Sequence, residues 1–451
     1  MIKHIAYISL FVFLLSCSTE EKVEINYALL SGSIENPTSD IVKVFGDGFS
    51  VEIPLNEENA FADTLWIEND GYYSFAAGRE SSSIFLNQGD QLHVSLNTEE
   101  FDESINYTGV GAEKNNYLAR KYLNSEESGL DFESFFGIDE EDFVALNSKL
   151  FTGDVDFLMS SAIPDENFVE MEKKALKYEF LSNISNYEEY HVYLTKDAEF
   201  EVSNDFYAKL NGFDYANETD YKIYKSYRTL VANHYIKEID NAEGLQSTFN
   251  GIQSIESNYI KNDLLNNFKY SFSPAHSDLD LFYSLLLETS SDEEFKTAVT
   301  QKYEIIKNLT EGNASPSFAY PDKENKVVSL EDLKGKYVYV DVWATWCGPC
   351  KREIPYLKEM TKEYEGKDIE FVSISIDETK DYDKWIAMLE DKEMDGIQLF
   401  SDKDWNSDFV KAYDIKGIPR FILIDKEGMI VSADAARPSD PKLKEQLEEL
   451  L

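Results

Sequence analysis

The C-terminal third of the chain alternates apolar strands with amphipathic helices, and this order restricts the possible folds more than any other feature. Residues 336–343, KYVYVDVW, form a nearly continuous apolar run, and residues 369–377, IEFVSISID, form a second. A helical pattern lies between them, from Cys347 to about Glu365. Near-continuous apolar strands are typical of parallel sheets covered on both faces. The order therefore predicts an α/β domain, to which a hairpin at 420–434 adds antiparallel strands.

Two of the three cysteines in this 451-residue chain lie at the start of that predicted helix. Cys347 and Cys350 are separated by Gly348 and Pro349, and proline is tolerated in a first helical turn because its missing N–H would be unpaired there. The other unpaired N–H groups and the positive end of the helix dipole stabilise a thiolate at this position. We therefore expect Cys347 to be the attacking sulfur and Cys350, one turn further on, to be the resolving thiol.

Three other roles for the cysteine pair are weaker. A zinc site needs four ligands, or three and a water molecule, and residues 311–451 contain no histidine and no further cysteine. The same lack of histidine argues against a Cys–His hydrolase. A structural disulfide across so short a loop would add little stability through chain entropy. The pattern predicts reversible dithiol–disulfide exchange, with no metal and no cofactor beyond the cysteine pair.

The N-terminus has the pattern of a secretory signal. Lys3 precedes an apolar stretch at 5–15, which is shorter than the roughly 20 residues that a membrane span needs. The sequence LLSC, ending at Cys17, is similar to the lipobox of bacterial lipoproteins. This resemblance implies a signal peptide at 1–16 and a lipidated Cys17 at the start of a tether, 17–24, that anchors the protein in a membrane. The alternative is an ordinary signal peptide with an incidental cysteine.

The residue after Cys17 indicates in which membrane the lipidated protein would be anchored. Ser18 stands there rather than an aspartate, and by analogy with other lipoproteins this implies the outer membrane, facing the periplasm. In such an oxidising compartment disulfides persist. Because only Cys347 and Cys350 remain after lipidation, the mature chain cannot be a scaffold held together by disulfides.

The length predicts two to four domains, and the pattern changes twice along the chain. Residues 25–111 consist of short β-like runs separated by turn residues, which predicts a small antiparallel sandwich or barrel. Residues 112–310 have helical periodicity and predict an α-helical domain. Residues 311–451 are the α/β domain. A stripe of aromatic residues in the helical segment is predicted to be core rather than a ligand-stacking face; it comprises Tyr221, Tyr224, Tyr227 and Tyr235, together with Val231.

The charge of the chain excludes one class of partner. The formal net charge is −44, from 86 acidic and 42 basic residues. Such a charge repels phosphate backbones, so we expect no binding to nucleic acid. The acidic residues are predicted to form a solvated surface.

Residues 315–451 resemble the thioredoxin superfamily, and more closely its TlpA/ResA branch of membrane-tethered envelope proteins. The resemblance rests on PSFAYPDKENKVVSLEDLKGKYVYVDVWATWCGPCKREIPYL and on GIPRFILID near the end of the chain. It implies a thioredoxin fold for 311–451, with Cys347 and Cys350 as the attacking and resolving thiols. It also implies substrate contacts at five positions, which are Trp346, Gly348, Pro349, Ile418 and the cis-proline Pro419.

The resemblance further implies two carboxylates at the site. Asp341 matches a buried acid beneath the resolving thiol, and Glu353 matches an acid that tunes the cysteine pair. Either acid could take the proton from Cys350, and two acids close together push their pKa values apart. The alternative for Glu353 is a solvent-facing acid favoured by the helix dipole. Two positions depart from the family pattern, because Ser373 lies near where thioredoxin has a lysine, and Arg420 stands where threonine is common.

These features predict a membrane-anchored thiol-disulfide oxidoreductase that reduces protein disulfides of the envelope and receives electrons from an unidentified thiol donor. Two alternatives stay open. One is an oxidase or isomerase on the same fold, although Gly-Pro between the cysteines resembles reducing members. The other is a partner- or ligand-binding lipoprotein in which residues 25–310 have the main role. A peroxiredoxin is disfavoured, because WATW before Cys347 lacks a threonine three residues before the cysteine.

Overall fold

The computed structural model describes residues 25–46, 48–236, 239, 242–268 and 271–451. The predicted signal peptide, the lipidation of Cys17 and the tether at 17–24 lie outside the described residues. Within the described part of the chain, no helix combines the length and the apolar character that crossing a membrane requires.

The chain divides into two compact units. The first unit runs to Phe213 and includes Thr219–Leu230, and the second contains Asp214–Glu218 and Val231–Leu451. The helices of segment 112–310 are therefore shared between the two units. The domain boundaries at 111 and 310 stay predictions.

The first unit begins with two four-stranded sheets, whose strand orders are β4-β1-β7-β8 and β3-β2-β5-β6. The strands are β1 (Ala28–Glu35), β2 (Ile41–Gly46), β3 (Phe49–Pro54), β4 (Ala60–Leu65), β5 (Gly71–Ala77), β6 (Glu80–Leu86), β7 (Gln91–Asn97) and β8 (Asn106–Val110). Side chains from both sheets, among them Leu30, Val44 and Phe75, share one hydrophobic core. The two sheets therefore pack face to face, as a sandwich requires.

One strand pair corrects the prediction of an antiparallel sandwich. Strands β1 and β7 pair in parallel, with Leu30 opposite Leu92, whereas the other pairs of these sheets are antiparallel. The chain visits the second sheet twice, with β2 and β3 and then with β5 and β6, and β7 afterwards enters the first sheet beside β1 in the same direction. Gly32 permits this close pairing, because a Cβ there would lie 2.4 Å from the Val94 carbonyl oxygen.

Helices follow and continue into the second unit. They are α1 (Phe101–Ser104), α2 (Ala112–Glu127), α3 (Phe132–Phe136), α4 (Glu140–Ser160), α5 (Glu166–Thr195), α6 (Glu218–Ile223), α7 (Lys225–Tyr235), α8 (Ala242–Gln253), α9 (Asn258–Asn267), α10 (Leu279–Thr289) and α11 (Glu293–Ile306). Helix α5 begins after Asp165, whose carboxylate accepts a hydrogen bond from the Phe168 N–H. The predicted aromatic stripe divides between α6 and α7, with Tyr224 between the two helices, and Tyr221, Tyr224 and Tyr227 are buried in the core.

The second unit ends in the predicted α/β domain, which has the thioredoxin-like fold. Its elements are β9 (Ala319–Pro321), β10 (Val327–Ser329), β11 (Tyr337–Trp343), α12 (Gly348–Glu363), β12 (Ile369–Ser375), α13 (Tyr382–Asp391), β13 (Ile397–Phe400), α14 (Asp408–Ala412), β14 (Arg420–Ile424), β15 (Ile430–Ser432) and α15 (Pro441–Leu450). The central sheet has the order β13-β12-β11-β14-β15. Strand β11 pairs in parallel with β12 and antiparallel with β14, as the sequence pattern predicts.

Strand β11 positions the cysteine pair. Six of its seven residues are buried, because it lies in the middle of the sheet. Its carboxyl end leads through a short loop into α12, which begins directly after Cys347. Ligand and active sites of such sheets lie at the carboxyl ends of the strands, and the cysteine pair therefore lies where the fold offers a site.

Candidate active site

Cys347 and Cys350 form a disulfide at the start of α12, with their Cα atoms 5.3 Å apart. Cys347 is the N-cap residue of the helix, and its Sγ accepts the N–H of Cys350 at 3.1 Å. This hydrogen bond, together with the helix dipole, stabilises negative charge on Sγ when the pair is reduced. Pro349 lies in the first turn, where a proline removes no intrahelical hydrogen bond.

The disulfide is nearly closed off from solvent, although an exposed surface surrounds it. The two cysteines are only 4 % and 3 % exposed, whereas Trp346 is 55 % exposed. Pro349 is also exposed, and Gly348 is half-buried. The Trp346 ring lies 6.3 Å from the ring of Trp405, centroid to centroid. Trp405 could not be predicted from the sequence, because no spacing connects it to the cysteine pair.

A second segment faces the disulfide from the loop before β14. The Ile418 carbonyl oxygen lies 3.8 Å from Cys347 Sγ, and the Ile418–Pro419 peptide bond is cis. Both residues are half-buried. The structure therefore brings together the five residues that the resemblance assigned to substrate binding around one sulfur. Their role in binding stays a prediction.

Asp341 lies in the middle of β11, opposite Ser373 of β12, and is buried. Burial raises the pKa of its carboxyl group from the ordinary value to about 7, and the nearby charge of Glu353 adds to the increase. A hydrogen bond from the Ser373 side chain acts in the opposite direction. Asp341 can therefore both accept and release a proton near neutral pH.

Ser373 lies near the position where the family pattern has a lysine. Its hydroxyl oxygen accepts a hydrogen bond from Gln398 Nε2 at 3.4 Å, and Gln398 also donates to the Asp395 carbonyl oxygen. Asp341 is thus hydrogen-bonded to a neutral hydroxyl, which in turn is hydrogen-bonded to Gln398, and is not paired with a cation at this position. Because a cation would lower the pKa of Asp341 and a hydroxyl does so less, this substitution keeps that pKa near neutrality.

Glu353 is buried in α12, one turn after Cys350, so the solvent-facing alternative for this residue is wrong. Both of its carboxylate oxygens accept hydrogen bonds from Ser439, one from the backbone N–H and one from the hydroxyl, each at 3.0 Å. The partner lies 86 residues away in sequence, in the segment before α15. Glu353 therefore connects the active-site helix to the C-terminal segment.

A further buried acid, Asp377, holds the loop that carries Trp346 and Cys347. Its carboxylate accepts the backbone N–H and the hydroxyl of Thr345, at 2.9 and 2.7 Å, and the hydroxyl of Ser375 at 2.8 Å. We did not predict this role from the sequence. The available signal was an aspartate at the end of the second apolar strand, because polar residues at that position border the site.

The fold and the cysteine pair define a thioredoxin-like redox domain, and comparisons with known proteins agree. Residues 310–450 match the family model described as Redoxin. ResA, a thiol-disulfide oxidoreductase of Bacillus thuringiensis subsp. konkukian, is 33 % identical over 140 residues, which cover 31 % of this chain and 76 % of that protein. ResA of Bacillus anthracis is 34 % identical over 137 residues, covering 30 % and 74 %.

A solved thioredoxin domain of a thiol-disulfide oxidoreductase from Bacteroides vulgatus is also similar. It is 32 % identical and has a TM-score of 0.29, with coverage of 32 % of this chain and 98 % of that one. The chain belongs to the TlpA/ResA-type thiol-disulfide oxidoreductases of the thioredoxin superfamily. The Redoxin match begins at residue 310, so it does not extend to the sandwich or to most of the helices.

Proposed function

We propose that this protein is a membrane-anchored reductase that reduces disulfides of envelope proteins by dithiol exchange at Cys347 and Cys350. The observation that carries the proposal is the position of Cys347 Sγ, which accepts the Cys350 N–H at the helix start. This sulfur faces the Ile418 carbonyl and lies beside an exposed tryptophan. The third cysteine of the sequence, Cys17, is the proposed site of lipidation.

In the first step, the Cys347 thiolate attacks one sulfur of a substrate disulfide. A bond forms between Cys347 Sγ and that sulfur, the substrate S–S bond breaks, and the second substrate sulfur leaves as a thiolate that takes a proton from solvent. Trp346, Gly348, Pro349, Ile418 and Pro419 surround the sulfur and position the substrate chain.

In the second step, Cys350 resolves the mixed disulfide. A base takes the proton of the Cys350 thiol, and the resulting thiolate attacks Cys347 Sγ, so that the substrate leaves fully reduced and the Cys347–Cys350 disulfide forms. We assign the base to Asp341 rather than to Glu353. Its pKa of about 7 suits proton transfer at neutral pH, whereas both oxygens of Glu353 are already engaged by Ser439.

The proposed location rests on the N-terminal sequence. A lipid on Cys17 and a tether at 17–24 would hold the protein at the outer membrane on its periplasmic side. In that compartment its partners are oxidised envelope proteins and a thiol donor that returns electrons to the Cys347–Cys350 disulfide.

Insulin reduction by dithiothreitol tests the proposed activity. The wild-type protein should accelerate precipitation of the insulin B chain, and both Cys347→Ser and Cys350→Ser should abolish the acceleration. A Cys17→Ser variant is the matched control, because it removes a sulfur outside the site. Acceleration that survives in Cys347→Ser would show that another group reduces the substrate.

The reduction potential of the cysteine pair separates a reductase from an oxidase. We expect a value nearer to that of thioredoxin, about −270 mV, than to that of the oxidase DsbA, about −120 mV. The reason is the Gly-Pro sequence between the cysteines, which resembles reducing members. A value near that of DsbA, measured by equilibration with glutathione buffers, would favour the oxidase alternative.

A further inference from the structure

The first sheet of the sandwich, β4-β1-β7-β8, has an outer face that is open to solvent in the part of the chain that the structure describes. Its inner face carries core residues such as Leu30 and Leu92, and alternate side chains of each strand point to the other side. The strand register arranges the outer face in three rows, which are Thr64-Leu29-Gln91-Val110, Ala62-Ser31-His93-Thr108 and Ala60-Ser33-Ser95-Asn106. Each of these residues is exposed or half-buried.

The outer face is neutral, in contrast to the rest of the protein. None of its three rows contains an aspartate, glutamate, lysine or arginine, although 28 % of the chain is charged and the net charge is −44. Anionic headgroups repel an acidic surface, but they do not repel a neutral one. The outer face can therefore approach a phospholipid surface without repulsion from its own side chains.

One end of the outer face is apolar and aromatic. Leu29 and Val110 lie in the first row, and Val110 is 58 % exposed. Just outside the strands, the ring of Tyr27 packs edge to face against Trp66, with the ring centroids 5.3 Å apart, and Trp66 is 63 % exposed. Ile25, two residues before Tyr27, is exposed as well. We call these five residues the apolar end. Tryptophan and tyrosine favour a membrane–water interface, because each combines an apolar ring with a polar group.

Two acids flank Trp66 in sequence, but neither belongs to the outer face. Asp63 pairs in register with Leu30, whose side chain is buried in the core on the opposite side of the sheet. Burial raises the pKa of Tyr73 in the second sheet, and the charge of Glu68 contributes to the increase, so Glu68 lies towards that sheet. The apolar end therefore keeps its neutral character.

The apolar end is also close in sequence to the proposed lipid anchor. Ile25 follows Cys17 by eight residues, and a fully extended chain of that length spans at most about 28 Å. A lipid on Cys17 would therefore hold the apolar end next to the membrane at a high effective concentration, at which even a weak contact forms. This short connection favours a lipid surface over a second copy of the chain as the occupant.

We propose that the apolar end docks on the phospholipid surface of the membrane in which the protein is anchored, with Trp66 and Tyr27 at the level of the headgroups. This inference rests on the lipid anchor of the proposed function, and it adds a second contact that orients the sandwich on the membrane. The contact is weak by itself, because a few apolar side chains bury less surface than acyl chains do. Loss of the lipid should therefore still release the protein.

Fluorescence quenching by brominated lipid tests the inference on the full-length, lipidated protein. The protein is reconstituted into vesicles of phosphatidylethanolamine and phosphatidylglycerol, with or without phosphatidylcholine that carries bromine on its acyl chains close to the headgroup. Bromine quenches only those tryptophans that lie near it. Trp66→Phe removes the tryptophan of the apolar end, and Trp346→Phe, which removes another exposed tryptophan, is the matched control.

In the wild-type protein, we expect brominated vesicles to quench a part of the emission that Trp66→Phe lacks and that Trp346→Phe keeps. Leu29→Glu and Val110→Glu each place a charge in the apolar end and should lower the ratio of docked to undocked Trp66 about tenfold. Two such variants are used so that a folding defect in one leaves the other as a test. Met159→Glu, at an exposed position of α4, should keep the quenching.

Two results would overturn the inference alone. One is equal quenching of the wild-type protein and Trp66→Phe, with mass spectrometry showing acyl chains on Cys17, and the other is quenching of Trp66 that persists in Leu29→Glu and Val110→Glu. A dimer that Trp66→Ser dissociates in analytical ultracentrifugation, without quenching of Trp66 in vesicles, would assign the apolar end to a second copy and would also overturn it. A purified protein without acyl chains on Cys17 would overturn the proposed anchor together with the inference.

Discussion

At the scale of single residues, the resolution step depends on which side chain accepts the proton of the Cys350 thiol. Asp341 and Glu353 are both buried, but their surroundings differ. Asp341 is buried against Ser373 and has a pKa of about 7, whereas Glu353 is fixed by two hydrogen bonds to Ser439. From this difference we propose a proton-accepting role for Asp341 and a structural role for Glu353.

Replacing Asp341 should slow the resolution step. Asp341→Asn removes the base, and we expect the release of reduced substrate from the mixed disulfide to fall about a hundredfold at neutral pH. In the wild-type protein that rate should rise as the pH passes through about 7, because the carboxylate forms there. Stopped-flow measurement of single turnovers gives both results. Glu353→Gln is the comparison variant, and a larger loss in it than in Asp341→Asn would contradict the assignment.

The proton on the Asp341 carboxyl group also affects the free energy of unfolding. The folded protein keeps a proton on Asp341 up to a pH of about 7, whereas an unfolded chain loses it near pH ~4. Between these values the folded state binds more protons, so this group makes the free energy of unfolding fall as the pH rises. Asp341→Asn cannot lose a proton. The difference in free energy of unfolding, Asp341→Asn minus wild type, should therefore increase by a few kcal/mol from about pH 4 to about pH 8.

Denaturant unfolding of the oxidised protein at both pH values measures this difference. Tryptophan fluorescence is a suitable probe, because four of the five tryptophans lie in the thioredoxin-like domain: Trp343, Trp346, Trp385 and Trp405. Asp383→Asn, an exposed aspartate of α13, is the control and should show no such pH dependence. A stability difference between Asp341→Asn and wild type that stays constant with pH would contradict the raised pKa.

At the scale of elements, the site depends on the loop between β11 and α12. Asp377 accepts three hydrogen bonds from Thr345 and Ser375 in this buried position. Asp377→Asn places an amide where donors already point, which leaves buried groups unpaired at a cost of about 1–3 kcal/mol. We expect a matching loss in the free energy of unfolding and slower reaction of Cys347 with 2-hydroxyethyl disulfide. Unchanged stability in Asp377→Asn, beside an unchanged Asp383→Asn control, would contradict this role.

The sequence predicted those elements whose pattern is local. Strands β11 and β12 are continuous apolar runs and α12 starts at a Cys-Gly-Pro-Cys sequence, so their order and the parallel pairing of the two strands could be inferred. The parallel pairing of β1 with β7 could not be inferred, because it depends on where the chain returns after five intervening strands that belong to two sheets. The hydrogen bonds between Glu353 and Ser439 could not be predicted either, because the two residues lie 86 positions apart in the sequence.

At the scale of the whole molecule, the comparisons extend only to the last third of the chain. The Redoxin match covers 310–450, and the sandwich and helices before it have an architecture of their own. Within the second unit, residues of α9, α10 and α11 line a cavity together with the loop that precedes β14.

The proposed membrane anchor is also a property of the whole molecule. Cys17→Ser should abolish incorporation of labelled palmitate and move the protein from the membrane fraction to the soluble fraction, because the acyl chains supply the membrane affinity. Fractionation of cells that express either form measures this. A Cys17→Ser protein that remained with the membrane would contradict the lipid anchor.

Trapping the mixed disulfide tests directly whether Cys347 attacks the substrate and Cys350 resolves the mixed disulfide. Reduced Cys350→Ser and reduced Cys347→Ser are each mixed with oxidised insulin and analysed by non-reducing mass spectrometry after alkylation. We expect a covalent adduct at Cys347 in Cys350→Ser that disappears with dithiothreitol, and almost none at Cys350 in Cys347→Ser, because only Cys347 is the N-cap residue, where the helix start stabilises a thiolate. Equal adducts in both variants, or an adduct only at Cys350, would contradict it.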